Sequence, residues 1–145
     1  AGPVYQAGTL SGNPVAVAAG LAQLKAIRTI PDAFERLEST GAMAEDALGR
    51  AAADAGVPVC VNRAGSMLTV FFTPGPVRDY ETAKTSDTKR FAAFFHAMLN
   101  EGVHLPPSQF EALFFSLAHG EEEMTHFKKA ATAAMRAVAE TRGNE

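Results

Sequence analysis

The sequence has no tryptophan and a single cysteine, Cys60. One cysteine cannot form an internal disulfide, and it supplies too few thiolates for a cysteine-based zinc site. No run of about 18 apolar residues is present, so the sequence predicts no membrane-spanning helix. These absences favour a reducing, cytoplasmic setting and argue against a membrane partner.

The chain also lacks an excess of positive charge. Thirteen Lys and Arg residues stand against 16 Asp and Glu residues, which leaves a formal net charge of −3. Nucleic-acid-binding domains usually present a basic face, so we expect no nucleic-acid partner. The four histidines lie at no spacing typical of metal ligands, and we therefore expect no metal site. At 145 residues, 47% of them hydrophobic, the chain is long enough for one globular core.

Hydrophobic periodicity predicts the order loop–α–α–β–β–α–β–β–α. The first helix should begin at Asn13-Pro14, and the apolar face of the second should begin at Phe34. The third helix should span 88–101, with Ser86 or Asp87 as its cap, Phe91 to Leu99 on its apolar face and Gly102 at its end. The fourth helix should follow Gly120. Strands are predicted at 57–61, 67–73, 103–105 and 113–117. The order favours an α+β fold, with a short, largely antiparallel sheet and helices packed on one side.

The segment 6–14, which contains Gly8 and Thr9, is the densest candidate for a binding site. Glycines allow a ligand to approach the backbone, hydroxyls donate hydrogen bonds, and a helix start follows directly, as in many phosphate sites. The same residues also suit a capped helix start after a flexible loop, and spacing alone leaves both interpretations open. The segment does not match the dinucleotide-binding G-x-G-x-x-G pattern.

Two other features bear on chemistry. Glu111 lies between the Pro106-Pro107 turn and an apolar strand, where it is either a functional loop residue or a solvated acid. A Schiff-base enzyme needs a reactive lysine, but the sequence places all five lysines in solvated positions. None lies in a short polar turn between strands that would hold an amine rigidly. The five lysines are Lys25, Lys84, Lys89, Lys128 and Lys129.

Three segments resemble a known family in the family's own order. They are 4–14, 62–73, and 106–112 followed by 115–119. The sequence is similar in them to the glutamate-1-semialdehyde 2,1-aminomutases, pyridoxal-phosphate enzymes of the class III aminotransferase group. The resemblance implies the C-terminal small domain of a fold-type I transferase, with residues 1–30 as a loop and linking helix from the large domain and 31–145 as the α+β domain. The Schiff-base lysine would lie upstream, so the chain alone is expected to be inactive.

The resemblance also implies residue roles. Gly8 and Thr9 would bind the pyridoxal 5'-phosphate of the neighbouring subunit in a homodimer, while Tyr5 and Glu111 would serve the substrate. The full-length enzyme would convert (S)-4-amino-5-oxopentanoate to 5-aminolevulinate for porphyrin (tetrapyrrole) biosynthesis. Two alternatives remain at this point: part of another class III (ω-)aminotransferase, and a non-catalytic α+β binding module.

Overall fold

A computed structural model describes Pro3 and residues 7–141 of the chain. The described residues divide into two units between Ala33 and Phe34. The first unit contains helix α1 (Pro14–Thr29), which begins where the sequence predicts. The Asn13 side chain caps α1 by accepting hydrogen bonds from the backbone N–H groups of Val15 and Ala16, at 3.0 and 3.1 Å. No residue of α1 is buried.

The remaining elements are helices and one small antiparallel sheet. In chain order they are α2 (Ala33–Asp54), β1 (Cys60–Ala64), β2 (Met67–Phe71), α3 (Tyr80–Ala83), α4 (Thr88–Asn100), β3 (Leu113–Phe114) and α5 (Glu121–Glu140). Strand β2 is central, with β1 on one side and β3 on the other. In this register Ala64 lies opposite Met67, which in turn lies opposite Phe114. The α+β fold class is therefore confirmed.

One core joins the helices to a single face of the sheet. The largest fully buried apolar side chains come from α2, β2, α4 and α5; they are Leu48, Leu68, Phe94, Met98, Met135 and Val138. Along β2, Leu68 and Val70 belong to the core and Met67 is 41% exposed, whereas Phe71, at the end of the strand, is buried outside the core cluster. From Met67 to Val70 the alternation is that of a strand with one face covered by helices.

The predicted strands are shorter or absent where the backbone has other partners. No strand forms at 103–105, because the N–H of Val103 bonds to the carbonyl of Met98 at 2.9 Å and closes the end of α4. The strand predicted at 57–61 begins only at Cys60, since Pro58 has no N–H and the N–H of Val57 bonds to Ala52. The strand predicted at 113–117 shrinks to the two residues of β3.

The predicted apolar faces of two helices are also too wide. Phe34 of α2 is 70% exposed and Leu99 of α4 is 44% exposed, although periodicity places both on buried faces. Phe34 lies in the first turn of α2 and Leu99 in the last turn of α4. The predicted start of α4 is confirmed. The Asp87 side chain caps this helix by accepting hydrogen bonds from the N–H groups of Lys89 and Arg90.

Helix α2 crosses the β1–β2 hairpin at very close range. A side chain at Gly41 would collide with the carbonyl oxygen of Gly65, and its Cβ would lie 3.0 Å from the Gly65 carbonyl carbon. Gly65 occupies the hairpin turn with a φ of +60°, a left-handed conformation that favours glycine. Two glycines therefore let the helix backbone rest directly on the turn.

Arg63 also links the β1–β2 turn to α2 through hydrogen bonds. Its Nε donates to Glu45 at 2.6 Å, and its Nη1 donates to Glu38 at 2.7 Å and to the Gly65 carbonyl at 2.9 Å. The hydrogen bonds to Glu45 and then Glu38 hold the pKa of Arg63 above its ordinary value. The guanidinium thus links two turns of α2 to the hairpin.

Gly41→Ala is expected to destabilise the fold. Overpacking commonly lowers the free energy of unfolding by about 1–3 kcal/mol, and here it must also overcome the helix propensity that alanine gains over glycine. Urea unfolding followed by circular dichroism measures the change.

Gly49→Ala is the matched control in the same helix. A Cβ there meets nothing within 4 Å, so alanine should raise the free energy of unfolding by about 0.5–1 kcal/mol. Equal effects of the two substitutions would contradict the close approach at Gly41.

Candidate functional site

The glycine-containing loop before α1 consists of two consecutive turns. The N–H of Ser11 bonds to the carbonyl of Gly8, and the N–H of Asn13 bonds to the carbonyl of Leu10, both at 3.0 Å. Gly8 and Thr9 are both exposed. Tyr5, the other candidate in this segment, lies outside the described residues. The two turns leave Thr9 open to a ligand.

The space beside Gly8 fits a ligand better than a side chain. A Cβ at Gly8 would lie 2.7 Å from Oγ of Ser11, so a side chain here would displace this hydroxyl. The loop therefore presents two hydroxyls, those of Thr9 and Ser11, next to a backbone without a side chain. Such a group of donors suits a phosphate.

The first turn of α1 has no N–H group available to bind an anion. Pro14 has no N–H, the N–H groups of Val15 and Ala16 bond to the Asn13 side chain, and that of Val17 bonds to the Asn13 carbonyl at 2.9 Å. No N–H of this first turn is left for an anion. An anion at this loop would be held by the loop itself, helped only by the dipole of the helix.

Glu111 lies in a tight turn beside the sheet. Its N–H bonds to the carbonyl of Ser108 at 3.1 Å, and its own carbonyl accepts a hydrogen bond from Oγ1 of Thr69 at 3.3 Å. Within the turn, the N–H of Phe110 bonds to Oγ of Ser108 at 3.2 Å. The carboxylate of Glu111 is exposed, so the turn displays it while its backbone is held.

The neighbouring Gln109 was not singled out from the sequence, and it is the unusual member of this turn. It is only 2% exposed, and neither its Oε1 nor its Nε2 has a hydrogen-bond partner among the described residues. Buried amides are normally paired. A glutamine beside a proline turn gives no sequence signal of burial, because surface turns contain glutamine equally well.

A cleft of about 550 Å³ lies behind the Glu111 turn. Leu105, Phe115 and Phe127 form apolar parts of its wall, and His119 and Glu123 are among its polar residues. Its volume falls in the range of small-molecule pockets. Glu111 itself is not part of the lining.

Glu123 caps the helix that borders this cleft. Its Oε2 accepts a hydrogen bond from the N–H of Gly120 at 2.8 Å. The backbone N–H of Glu123 itself and that of Gly120 hold the pKa of Glu123 below its ordinary value. The carboxylate is therefore a charged component of the helix start at neutral pH.

The described residues add two observations on other chemistry. All five lysines are exposed; Lys84, for example, pairs with Glu81 at 2.9 Å and lies over the Tyr80 ring. Within residues 7–141, no three His, Cys, Asp or Glu side chains are grouped to hold a metal ion. No helix in that range is long and apolar enough to cross a bilayer.

Comparison with known proteins gives consistent relatives. The chain is 62% identical over 141 residues to the glutamate-1-semialdehyde 2,1-aminomutase of Myxococcus xanthus strain DK1622, covering 97% of this chain and 32% of that protein. It therefore spans about a third of the length of the curated relatives it matches, at their C-terminal end. No family model matches the sequence.

Two solved structures share the fold. An omega-transaminase from Sphaerobacter thermophilus superposes with a TM-score of 0.79 at 26% identity, over 93% of this chain and 30% of that one. A transaminase described as having PLP bound gives a TM-score of 0.73, also at 26% identity, over 96% of this chain and 31% of that one.

Glu123→Gln is expected to lower stability at neutral pH and to have no effect in acid. Because the folded-state pKa of Glu123 is depressed, its contribution is present above its unfolded pKa and is lost as the pH falls through the lower, folded-state pKa. Urea midpoints measured from neutral to acidic pH test this. Glu122→Gln, one residue away, is the control and should show no comparable pH-dependent loss.

Gln109→Met should leave the free energy of unfolding unchanged or raise it by about 1 kcal/mol, because it removes a buried amide without a partner and nearly conserves volume. Gln23→Met, at an exposed position of α1, controls for the general effect of methionine. A loss of more than about 2 kcal/mol in the Gln109 variant would show that the amide is paired in solution.

Proposed function

Since this chain belongs to the glutamate-1-semialdehyde 2,1-aminomutase family and matches the C-terminal part of those proteins, we propose that it is the C-terminal domain of such an enzyme. The full-length enzyme would convert (S)-4-amino-5-oxopentanoate to 5-aminolevulinate, a step of porphyrin biosynthesis. The observation that carries the proposal is the high identity to a curated aminomutase across nearly the whole chain.

The cofactor of that enzyme would be pyridoxal 5'-phosphate, which supplies an electron sink when bound. Thr9 would donate its hydroxyl to the cofactor phosphate, and Gly8 would leave room for it. The exposure of Thr9 and the space that a Cβ at Gly8 would fill support this assignment. We also propose that the enzyme is a homodimer and that Gly8 and Thr9 bind the cofactor phosphate of the neighbouring subunit.

Glu111 would bind the ammonium group of the substrate, because a carboxylate and an ammonium form a charge-assisted hydrogen bond. Its exposure and its held backbone support this role. Tyr5 would contribute to the same substrate site. The covalent lysine would come from outside this chain, so that these 145 residues alone would be inactive, and the whole enzyme would work in the cytoplasm.

A second candidate is an external-acceptor ω-transaminase. The observation that favours it is the likeness to solved transaminases. The two activities share a fold and a cofactor, so only the reaction separates them.

The reaction is tested on the full-length enzyme that contains this chain. An aminomutase is expected to form 5-aminolevulinate from glutamate-1-semialdehyde in the absence of any keto acid. A strict requirement for an external keto acid would contradict the aminomutase and favour the transaminase. If the protein loaded with pyridoxal 5'-phosphate forms neither 5-aminolevulinate nor a transamination product, the non-catalytic module is favoured.

Thr9→Val in that enzyme should weaken the affinity for pyridoxal 5'-phosphate by about 10-fold or more, because a hydrogen bond to a charged group contributes about 1.5–3 kcal/mol. Equilibrium dialysis with absorbance detection measures it. Thr9→Ser retains the hydroxyl and should bind nearly as well as wild type. Unchanged affinity in the valine variant would remove Thr9 from the phosphate site.

A further inference from the structure

Thr69 lies on β2, the central strand of the sheet. It is the middle residue of β2, between the buried Leu68 and Val70, and therefore points to the other face of the sheet. Across the strand pair it lies opposite Asn62, whose side-chain amide donates to the carbonyl of Val77 at 2.9 Å. The backbone of Thr69 is therefore held in place by its pairing with β1.

The backbone ladder on the other side of β2 stops one residue before Thr69. Strand β3 pairs with β2 only through Met67–Phe114 and Leu68–Leu113. Beyond that point the chain turns away from the sheet, and Oγ1 of Thr69 donates to the carbonyl of Glu111. A side-chain hydrogen bond thus continues the contact where the backbone pairing ends.

The Glu111 backbone is held on both sides as a result. Its N–H is used within the turn by Ser108, and its C=O is used by Thr69. Gln109, two residues earlier in the turn, is buried, while the side chain of Glu111 remains exposed. A fixed backbone beneath an exposed carboxylate is how a binding group is kept in position.

We propose that Thr69 is a positioning residue that orients Glu111 toward the substrate. This inference rests on the proposed function of Glu111 as a substrate-binding group. Thr69 itself does not touch the substrate; its hydroxyl fixes the carbonyl of Glu111, and so sets the direction in which the carboxylate leaves the turn.

The test uses Thr69→Val and Thr69→Ser in the full-length enzyme. Valine matches the shape of threonine and removes only the hydroxyl, whereas serine keeps the hydroxyl. If Glu111 binds the substrate, Thr69→Val should raise KM by about 5–10-fold and leave kcat within about twofold. Thr69→Ser should restore KM to near the wild-type value.

A double-substitution cycle shows whether the effect passes through Glu111. Glu111→Gln should raise KM by itself, and adding Thr69→Val to it should have little further effect. If Glu111→Gln changes KM but Thr69→Val does not, the positioning role is overturned and the role of Glu111 stands. If Glu111→Gln has no effect on KM or kcat, the substrate role of Glu111 fails and the positioning role fails with it.

Hydrogen exchange supplies a readout that does not depend on activity. The amide of Glu111, bonded to Ser108, should exchange several-fold faster in the valine variant than in wild type or the serine variant. A lower melting temperature in the valine variant with unchanged KM and unchanged exchange at Glu111 would show a purely structural role and overturn the proposal.

Discussion

The direct contact between the backbones of α2 and the β1–β2 turn sets the position of the hairpin, and with it the position of β2. Gly41 allows the approach, Gly65 makes the turn, and Arg63 ties the turn to two carboxylates of α2. Because this contact fixes the hairpin against the helix, β2 directs Leu68 and Val70 into the core. The same register turns Thr69 away from the core, and its Oγ1 donates to the carbonyl of Glu111.

The helices were predictable because their determinants are local. Asn13 and Asp87 are caps that act within three residues, and Gly102, with a φ of +81°, ends α4 as expected. The strands were less predictable from the sequence, because a strand forms only where a partner strand pairs with it. Val103 has the pattern of a strand residue, but its N–H is taken by the end of α4. No local pattern marks Gly41 as a contact and Gly49, in the same helix, as open space.

The candidate site divides along the same line. Gly8, Thr9 and Glu111 could be named from motifs, because a contiguous stretch of sequence carries the resemblance. Thr69 could not, since it meets Glu111 across 42 positions of the chain. At the start of α1 the sequence left two interpretations open, a phosphate site and a capped helix start. The structure shows the cap: Asn13 takes up the N–H groups of Val15, Ala16 and Val17, so a phosphate here would depend on the loop itself.

The described residues offer groups suited to holding a ligand. None of the lysines is held in a buried setting that would make it a nucleophile. What the chain offers are an exposed hydroxyl loop at Thr9 and an exposed carboxylate at Glu111, the latter on a backbone fixed at its N–H and its C=O. Such groups gain effect from exact placement, because binding energy in an active site depends on orientation as much as on charge. Under the proposed function, these groups would serve a reaction centre built mainly outside this chain, and for Glu111 the rigidity of the supporting sheet would set that placement.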